Sequence, residues 1–599
     1  MRNLRFGRAL LSFLLLSPAL FAPSACSRRD APETAAASRP APESRAGSAQ
    51  DANAENPDRD SWVDLATIPF DKRLVGGRFV LLRPGVAESL NAVTRASGSA
   101  DVERLHKYLL GAPLLMEAPD RGKGGLELQL HGAARMPEDS PDHLTQVWTL
   151  RPDITWEDGT PVTAKDYAFT FRMIRNPEVE SSIRSSYDAV ASIDAIDDLR
   201  FKVTWKKAQR RAIEQIGVEF QVVPAHAVPQ DAASFNKLKT HLACGPYRVA
   251  TFEPSKRIEV VLRDEYRKRA FPIRPHYVES FVWEPGVGEP LSILTRLKNG
   301  EAHLVLLTGD QYATQGAEPS FRAVAWRTAF ALPFYTFLAW NLKDPADLSR
   351  PHPVLGDIRV RRALTHLIPL DTLAAKAFYG LARPVSGPFD WRDSGYDASI
   401  APVAFDPPKA AALLKEAGWA PGPDGLLAKD GRPCKLTLLR ENQSGPLNSI
   451  VAQTFQEEAR EVGVTVELED SAKFYDDLDA HRFDAGLLVW QLDFIEPDLS
   501  REWHSRFAAS GGFNYSGFGD PEVDRLLDRH EVTFDPAARA TIRREIHRRI
   551  HEAAPVAFLF AYHATIGISK RFANVKVHDF GVRYHDFVLR ELWEKYRPR

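Results

Sequence analysis

Residues 148–177 read WTLRPDITWEDGTPVTAKDYAFTFRMIRNP. From Trp148 to Trp156 polar and apolar residues alternate, the pattern of a strand with one buried face. Asp158-Gly159 and Pro161 then form a turn. Thr163 opens a helix whose first turn carries Asp166, a residue type favoured where backbone N–H groups are left over. Upstream, Arg78 to Leu82 (RFVLL) predicts a strand, Pro84-Gly85 a turn, and residues 102–115 hold apolar positions at helical spacing up to a glycine stop. Downstream, residues 190–205 predict two strands joined at Asp197-Asp198. Strands and helices alternate, so the chain reads as α/β.

At 599 residues the chain exceeds one ordinary core and implies several lobes. Lys and Arg total 77 against 79 for Asp and Glu. That balance leaves no basic footprint for nucleic acid and no acidic tail. Twelve Trp and fifteen Tyr supply rings for lining a cleft. The three cysteines, Cys26, Cys244 and Cys434, are too far apart in sequence for a CxxC pattern. Cys244 and Cys434 are compatible with one disulfide or with two buried thiols.

Residues 1–26 place Arg2, Arg5 and Arg8 before an apolar run that ends in Pro23-Ser24-Ala25-Cys26. This reads as an export signal, too short for a spanning helix. The small residues before Cys26 resemble a bacterial lipobox, with Pro23 where that motif usually has Leu, so Cys26 is the expected lipidation site. Ordinary cleavage and release is the alternative. Residues 27–60 are Ala, Pro, Ser, Asp and Glu with almost nothing large and apolar, the composition of a disordered tether.

No HExxH, GxSxG, Walker A or EF-hand pattern is present, and Gly286-Val-Gly288 lacks the third glycine of a dinucleotide fingerprint. His241, His276, His303, His366 and His504 do not fall at ligand spacing. The charges at Lys409/Lys415 and from Arg543/Arg544 to Arg548/Arg549 read as solvated helix faces. The expectation is a protein that is not an enzyme and uses no cofactor or metal.

A second stretch bears on binding. Residues 483–498, FDAGLLVWQLDFIEPD, run as an apolar strand toward Asp493 before Glu496-Pro497-Asp498 breaks it. A carboxylate at the mouth of a buried strand needs a positive partner or several donors. Asp493 either caps a turn, pairs with an internal arginine, or meets a ligand ammonium.

Several blocks in order resemble the family 5 extracellular solute-binding proteins, the dipeptide, oligopeptide and nickel receptors of bacterial ABC importers. They are the block at 148–177, CGPYRV at 244–249, DEY at 264–266, LKNGE at 297–301, Trp340-Asn341, DIRVRRAL at 357–364, FDPPKAAALLKEAG at 405–418, Asn514-Tyr515 and PEVD at 521–524. In the 405–418 block, Asp406 predicts an N-cap, Pro407 the first helical position and Gly418 the stop. His303 stands where the family usually has Asp, and Pro369 replaces a helix-capping Asp, which leaves Asp371 as the expected cap.

The resemblance implies a two-lobed periplasmic-binding-protein clamp of the large type II cluster, with an extra subdomain and a two-strand hinge near residues 334–340 and 556–560. It implies a first lobe from 61–108, 233–328 and 555–599, a subdomain from 109–232 and a second lobe from 329–554. It further implies a monomeric, periplasmic, lipid-anchored receptor in a Gram-negative-type envelope. Such a receptor would pass a peptide to an inner-membrane ABC permease and bind no nucleic acid. A nickel chelate, an oligosaccharide or a modified peptide is the alternative ligand, and an envelope sensor that has lost transport the alternative role. In peptide-binding members the Asp of a "W..D..DP" pattern meets the ligand α-ammonium. Trp490, Gln491 and Asp493 occupy that pattern, with Glu496 for Asp and Val489 for the usual Gly. Tyr335, Trp391, Tyr187 and Arg440 complete the expected ligand contacts.

Overall fold

The computed structural model describes residues 62–597 except 84–85, 95–99, 120–125, 182, 287–289, 424, 443–445, 493–498, 509–511, 579–580 and 584–585. The signal, Cys26 and the tether therefore lie outside the described residues.

Strand β1 (Gly76–Arg83) starts the larger sheet, and the chain then leaves for a small antiparallel sheet containing β2 (Thr145–Thr149), β3 (Val190–Ala195) and β4 (Arg200–Trp205). It returns through β5 (Tyr247–Glu253), β6 (Arg257–Leu262), β7 (Val278–Pro285), β8 (Leu304–Leu307) and β9 (Ala325–Ala331). After Leu332-Pro333 it enters a second sheet with β10 (Phe334–Trp340), β11 (Lys435–Glu441), β12 (Thr465–Ser471), β13 (Ala485–Gln491) and β14 (Val556–Phe558). One residue later β15 (Phe560–Ser569) is back in the first sheet. The orders are β9-β15-β8-β1-β7-β6-β5 and β12-β11-β13-β10-β14. The chain thus passes between the two large sheets at 331–334 and again at 558–560, the two-strand hinge of a two-lobed clamp.

β1 lacks polar alternation because it is buried on both faces. Phe79 and Leu81 enter a core continuous with Trp148 and Phe201 of the small sheet, while Val80 and Leu82 face a second core with Leu294 and Leu297. β10 behaves the same way. Leu338 and Trp340 pack on one side of the second sheet, and Tyr335, Phe337 and Ala339 on the other. A third strand spans the hinge without a covalent crossing. Ala382–Pro384 pairs antiparallel with Phe560–Tyr562, and the Val385 N–H donates to Leu559 O at 3.1 Å.

The 148–177 segment forms β2, a turn at Gly159 (φ 87°) and helix α1 (Ala164–Arg175) with a Thr163–Asp166 capping box. The Asp166 carboxylate also accepts the Ala225 N–H at 2.8 Å, which ties the helix start to a loop far along the chain. Helix α2 (Ile358–Thr365) is capped by Asp357. In helix α3 (Leu370–Lys376) Asp371 is not the cap. Pro369 takes that position with φ −80° and ψ 73°, its carbonyl accepts the Leu373 N–H, and Asp371 stays inside the first turn. Helix α4 (Pro407–Glu416) has the Asp406 cap, and Gly418 follows at φ 89°.

Helices α5 (Pro446–Glu461), α6 (Pro521–Glu531) and α7 (Pro536–Ala553) complete the second lobe. Arg543 of α7 departs from the solvated face expected for it. Its side chain is 4% exposed and pairs with Asp393 at 3.2 Å. Cys244 and Cys434 are buried free thiols in separate cores, and burial pushes both up to about 12.

Candidate functional site

β13 runs antiparallel to β10 with Gln491 opposite Phe334, Trp490 opposite Tyr335 and Val489 opposite Thr336. Phe334 is the first strand residue after the chain leaves the first lobe, so β13 delivers Trp490 and Gln491 to the sheet end at the lobe junction. The Leu492 N–H donates to Pro333 O in the crossing itself at 2.7 Å. Asp493 comes next in sequence. It and Glu496-Pro497-Asp498 lie outside the described residues. Val489 joins Phe330 and Tyr562 around a cluster of Leu332, Phe334 and Ala564, so the bulk added there packs the crossing.

Trp490 is half-buried, with its ring 5.5 Å from that of Phe513 at 61°. Beneath it is a small cavity walled by six rings, those of Tyr335, Phe337, Trp490, Trp503, Phe513 and Tyr515, with Ala339, Val556, Ser516 and Glu502 also in the wall. Tyr335, expected to face the cleft, is only 2% exposed and forms part of that wall. Burial first, and the charge of Glu502 second, raise its phenol well above the usual range.

Trp391 is half-buried between two cations, with the Arg383 guanidinium 4.6 Å and that of Arg392 5.5 Å from its ring. Arg392 also pairs with Asp390 at 2.6 Å and reaches 3.5 Å from Ala331 O at the first crossing. Arg383 comes from the strand laid along the second crossing. Trp391, Trp490 and Gln491 are thus all tied to the lobe junction.

The structure does not bring the remaining two candidates to this junction. Tyr187 is 2% exposed in the core that includes the small sheet, edge-on to Phe220 at 5.4 Å. Arg440 lies opposite Asp470 in the parallel β11–β12 register and pairs with it at 2.9 Å, so its charge is answered within the sheet. Sequence reasoning missed Glu502, Phe513, Arg383 and Arg392. None lies in a motif, and only the folded register gathers them.

Residues 113–510 match the model of bacterial extracellular solute-binding proteins, family 5 middle. Among curated relatives, Protein XP55 of Streptomyces lividans is 26% identical over 439 residues, covering 71% of this chain and 74% of that protein. The structure of the Bacillus subtilis oligopeptide-binding protein AppA in complex with a nonapeptide aligns with a TM-score of 0.65 at 18% identity, over 86% of this chain and 99% of that one. That of Campylobacter jejuni NikZ with Ni(L-His) aligns at 0.67 and 19%, over 87% and 100%. The likeness to both structures is one of fold.

Proposed function

The chain belongs to the bacterial extracellular solute-binding proteins of family 5, and from that membership we propose that it captures peptides between two lobes and delivers them to an ABC importer. The observation that carries this reading is the pairing of Trp490 with Tyr335 and Gln491 with Phe334, and the bond from Leu492 N–H to Pro333 O, which bring the chain to the lobe junction one residue short of Asp493. A peptide ammonium meeting the Asp493 carboxylate there would satisfy both charges. Backbone hydrogen bonds would supply affinity without reading side chains. We take the lobes to divide as 61–108, 233–328 and 555–599 against 329–554, with 109–232 as the added subdomain. Hinge closure then moves two bodies about the crossings at 331–334 and 558–560. The same reading places the protein outside the inner membrane, held by lipid on Cys26 through the 27–60 tether. A relative, the oligopeptide-binding protein AppA of Bacillus subtilis, is named for the same ligand class.

The test is native mass spectrometry of the protein as purified, followed by calorimetry with the species found. A ladder of co-purifying peptides supports the reading, and a sugar or a metal chelate overturns it. Asp493→Ala is expected to weaken peptides with free N-termini by about 3 to 5 kcal/mol, the cost of removing one member of a buried charge pair. N-acetylated peptides should lose far less. Equal losses for both would make Asp493 a structural carboxylate.

A further inference from the structure

A segment of the second lobe reaches the first beside the hinge. Helix α3 is followed by a turn, Phe378 to Leu381, and the strand Ala382–Pro384 then runs along the second crossing. Both flanks of this turn are mounted on the second lobe. Ahead of it, Ala377 and Phe378 are buried in the core that holds Leu338 and Trp340 of β10. Behind it, Ser386 is buried against α7. There His547 Nδ1 accepts the Asp397 N–H at 3.0 Å, which leaves the ring proton on Nε2 to donate to the Ser386 hydroxyl at 3.2 Å. His551 Nδ1 donates to Ser386 O at 2.9 Å. The turn is closed by its own backbone, Gly380 N–H to Ala374 O at 2.9 Å and Leu381 N–H to Phe378 O at 2.7 Å. It is a fixed projection.

Tyr379 stands at its tip with φ 54°, followed by Gly380 at 75°. That region favours glycine, and a bulky side chain in it is an outlier. Tyr379 is 45% exposed, so core packing does not call for a ring there either. The ring meets the first lobe instead. Its hydroxyl donates to Asp310 Oδ1 at 3.3 Å, and its edge lies so close over Gly309 that a β-carbon on that residue would stand 3.2 Å from Cδ2 and 3.6 Å from Cε2. Gly309 and Asp310 open the short helix Gly309–Ala313, which follows β8 of the first sheet. A Thr308–Gln311 capping box fixes the start of that helix, and Arg327 of β9 holds its far end, with the guanidinium 4.8 Å from the Tyr312 ring. Backbone strain that the local fold does not need directs attention to what the strained side chain touches. Here it touches the other lobe, close to the axis about which the lobes turn. At such a place a small change in thickness becomes a large one at the far edge of a clamp.

We infer that Tyr379 is a strut, a positioning residue mounted on the second lobe and bearing on Gly309 and Asp310 of the first, which sets the angle at which the two lobes rest. The inference rests on the reading of the chain as a clamp that moves about its two crossings. It makes no use of the ligand class.

Small-angle X-ray scattering of the full chain without ligand tests it. Tyr379→Ala removes the ring and keeps a side chain on the left-handed backbone, so the strut is shortened. Gly309→Ala adds one methyl between the ring and the helix, so the strut is lengthened. The radius of gyration is expected to shift in opposite directions in the two variants, with both urea midpoints close to that of the wild type because both sites are at the surface. Tyr379→Phe, which loses only the bond to Asp310, should shift the same way as Tyr379→Ala and less far. In the double variant the added methyl has nothing to press on, so its scattering should match that of Tyr379→Ala alone.

Superimposable curves for wild type and both single variants would overturn the proposal. So would shifts of the same sign, the mark of general loosening, or a Gly309→Ala shift that persists in the Tyr379→Ala background. If Tyr379→Ala fails to fold, Tyr379→Phe against Gly309→Ala decides by the same opposition of sign. No ligand enters the test, so a failure of the peptide reading leaves the strut standing. Superimposable scattering removes the strut and leaves the peptide reading to mass spectrometry.

Discussion

The imidazole of His143 lies flat on the ring of Phe534, centroids 3.8 Å apart and planes 12° from parallel. His143 belongs to the turn between Glu138–Asp139 and β2 of the small sheet, and Phe534 to the link between α6 and α7 of the second lobe. The contact therefore joins these two parts without passing through either hinge crossing. His143 is held for it in a left-handed conformation, φ 56°, by the Asp139 carboxylate at 2.5 Å and by its own N–H to Ser140 O.

Phe534→Ala removes a stacked pair of a kind that contributes about 0.5 to 1.5 kcal/mol beyond burial. That is enough to shift an open–closed balance severalfold, but too little to unfold either lobe. The expected result is a larger radius of gyration by small-angle X-ray scattering with an unchanged urea midpoint. Identical scattering from variant and wild type would remove the contact from any role in closure.

The DIRVRRAL block at 357–364 has a physical reason in Arg361. Its guanidinium is buried and donates to Leu355 O at 2.7 Å and, across to the end of α7, to Ala553 O and Ala554 O, each at 2.8 Å. The last carbonyls of a helix lack partners and carry the negative end of its dipole. Burial lowers Arg361 to about 10, so it remains a cation at neutral pH. Arg361→Met should cost about 3 kcal/mol, because several buried acceptors lose their donor at once. Arg361→Lys should recover less than half, since one ammonium does not span both segments. A urea midpoint within error of wild type for the methionine variant would refute this.

Asp166 makes a parallel case at the other end of the chain. Its carboxylate accepts the Thr163 N–H and the Ala225 N–H, each at 2.8 Å, and lies 3.4 Å from the Trp156 indole nitrogen. Asp166→Ala strands both backbone donors in a buried place, at about 2 to 4 kcal/mol. Hydrogen exchange should localise the loss to residues 156–175 and 223–227. Protection unchanged there would mean that water substitutes for the carboxylate.

These cases mark what was legible in the sequence. Caps and turns are local chemistry, so Thr163 and Asp406 were read correctly from a few residues around each, whereas Asp371 lost the cap position to Pro369. The strand at 334–340 was legible, but the side that Tyr335 takes was not, because a strand buried on both faces carries no alternation to assign them. Arg440 depended on the β11–β12 register and Arg543 on contact with Asp393, which lies 150 residues earlier in the chain. The strand Ala382–Pro384 carries no apolar pattern, and its pairing with β15 follows from the path of the hinge. Glu502 lies in no motif, and only the fold brings it beside Tyr335, Trp490 and four further rings.

Buried histidines give the last prediction. Burial, with Arg274 adding to it, lowers His131 and His276 to about 3, and burial with Arg571 and Arg78 lowers His303 to about 4. The folded values lie below the unfolded value of about 6.5, so on acidification the unfolded chain takes the protons first. This stability is fully present above about pH 6.5 and is lost as pH falls toward the folded values. Each group contributes up to about 1.4 kcal/mol per pH unit within its window, and the three together about 5.5 between pH 6 and 4.5. His303 offers a single-site check. Its Nδ1 accepts the Val80 N–H at 3.0 Å, a bond that an asparagine oxygen also accepts. His303→Asn should therefore fold and lower the slope of unfolding free energy against pH by about one proton, measured by urea titration at half-unit steps. A slope equal to that of the wild type would show that His303 already exchanges its proton freely in the folded state.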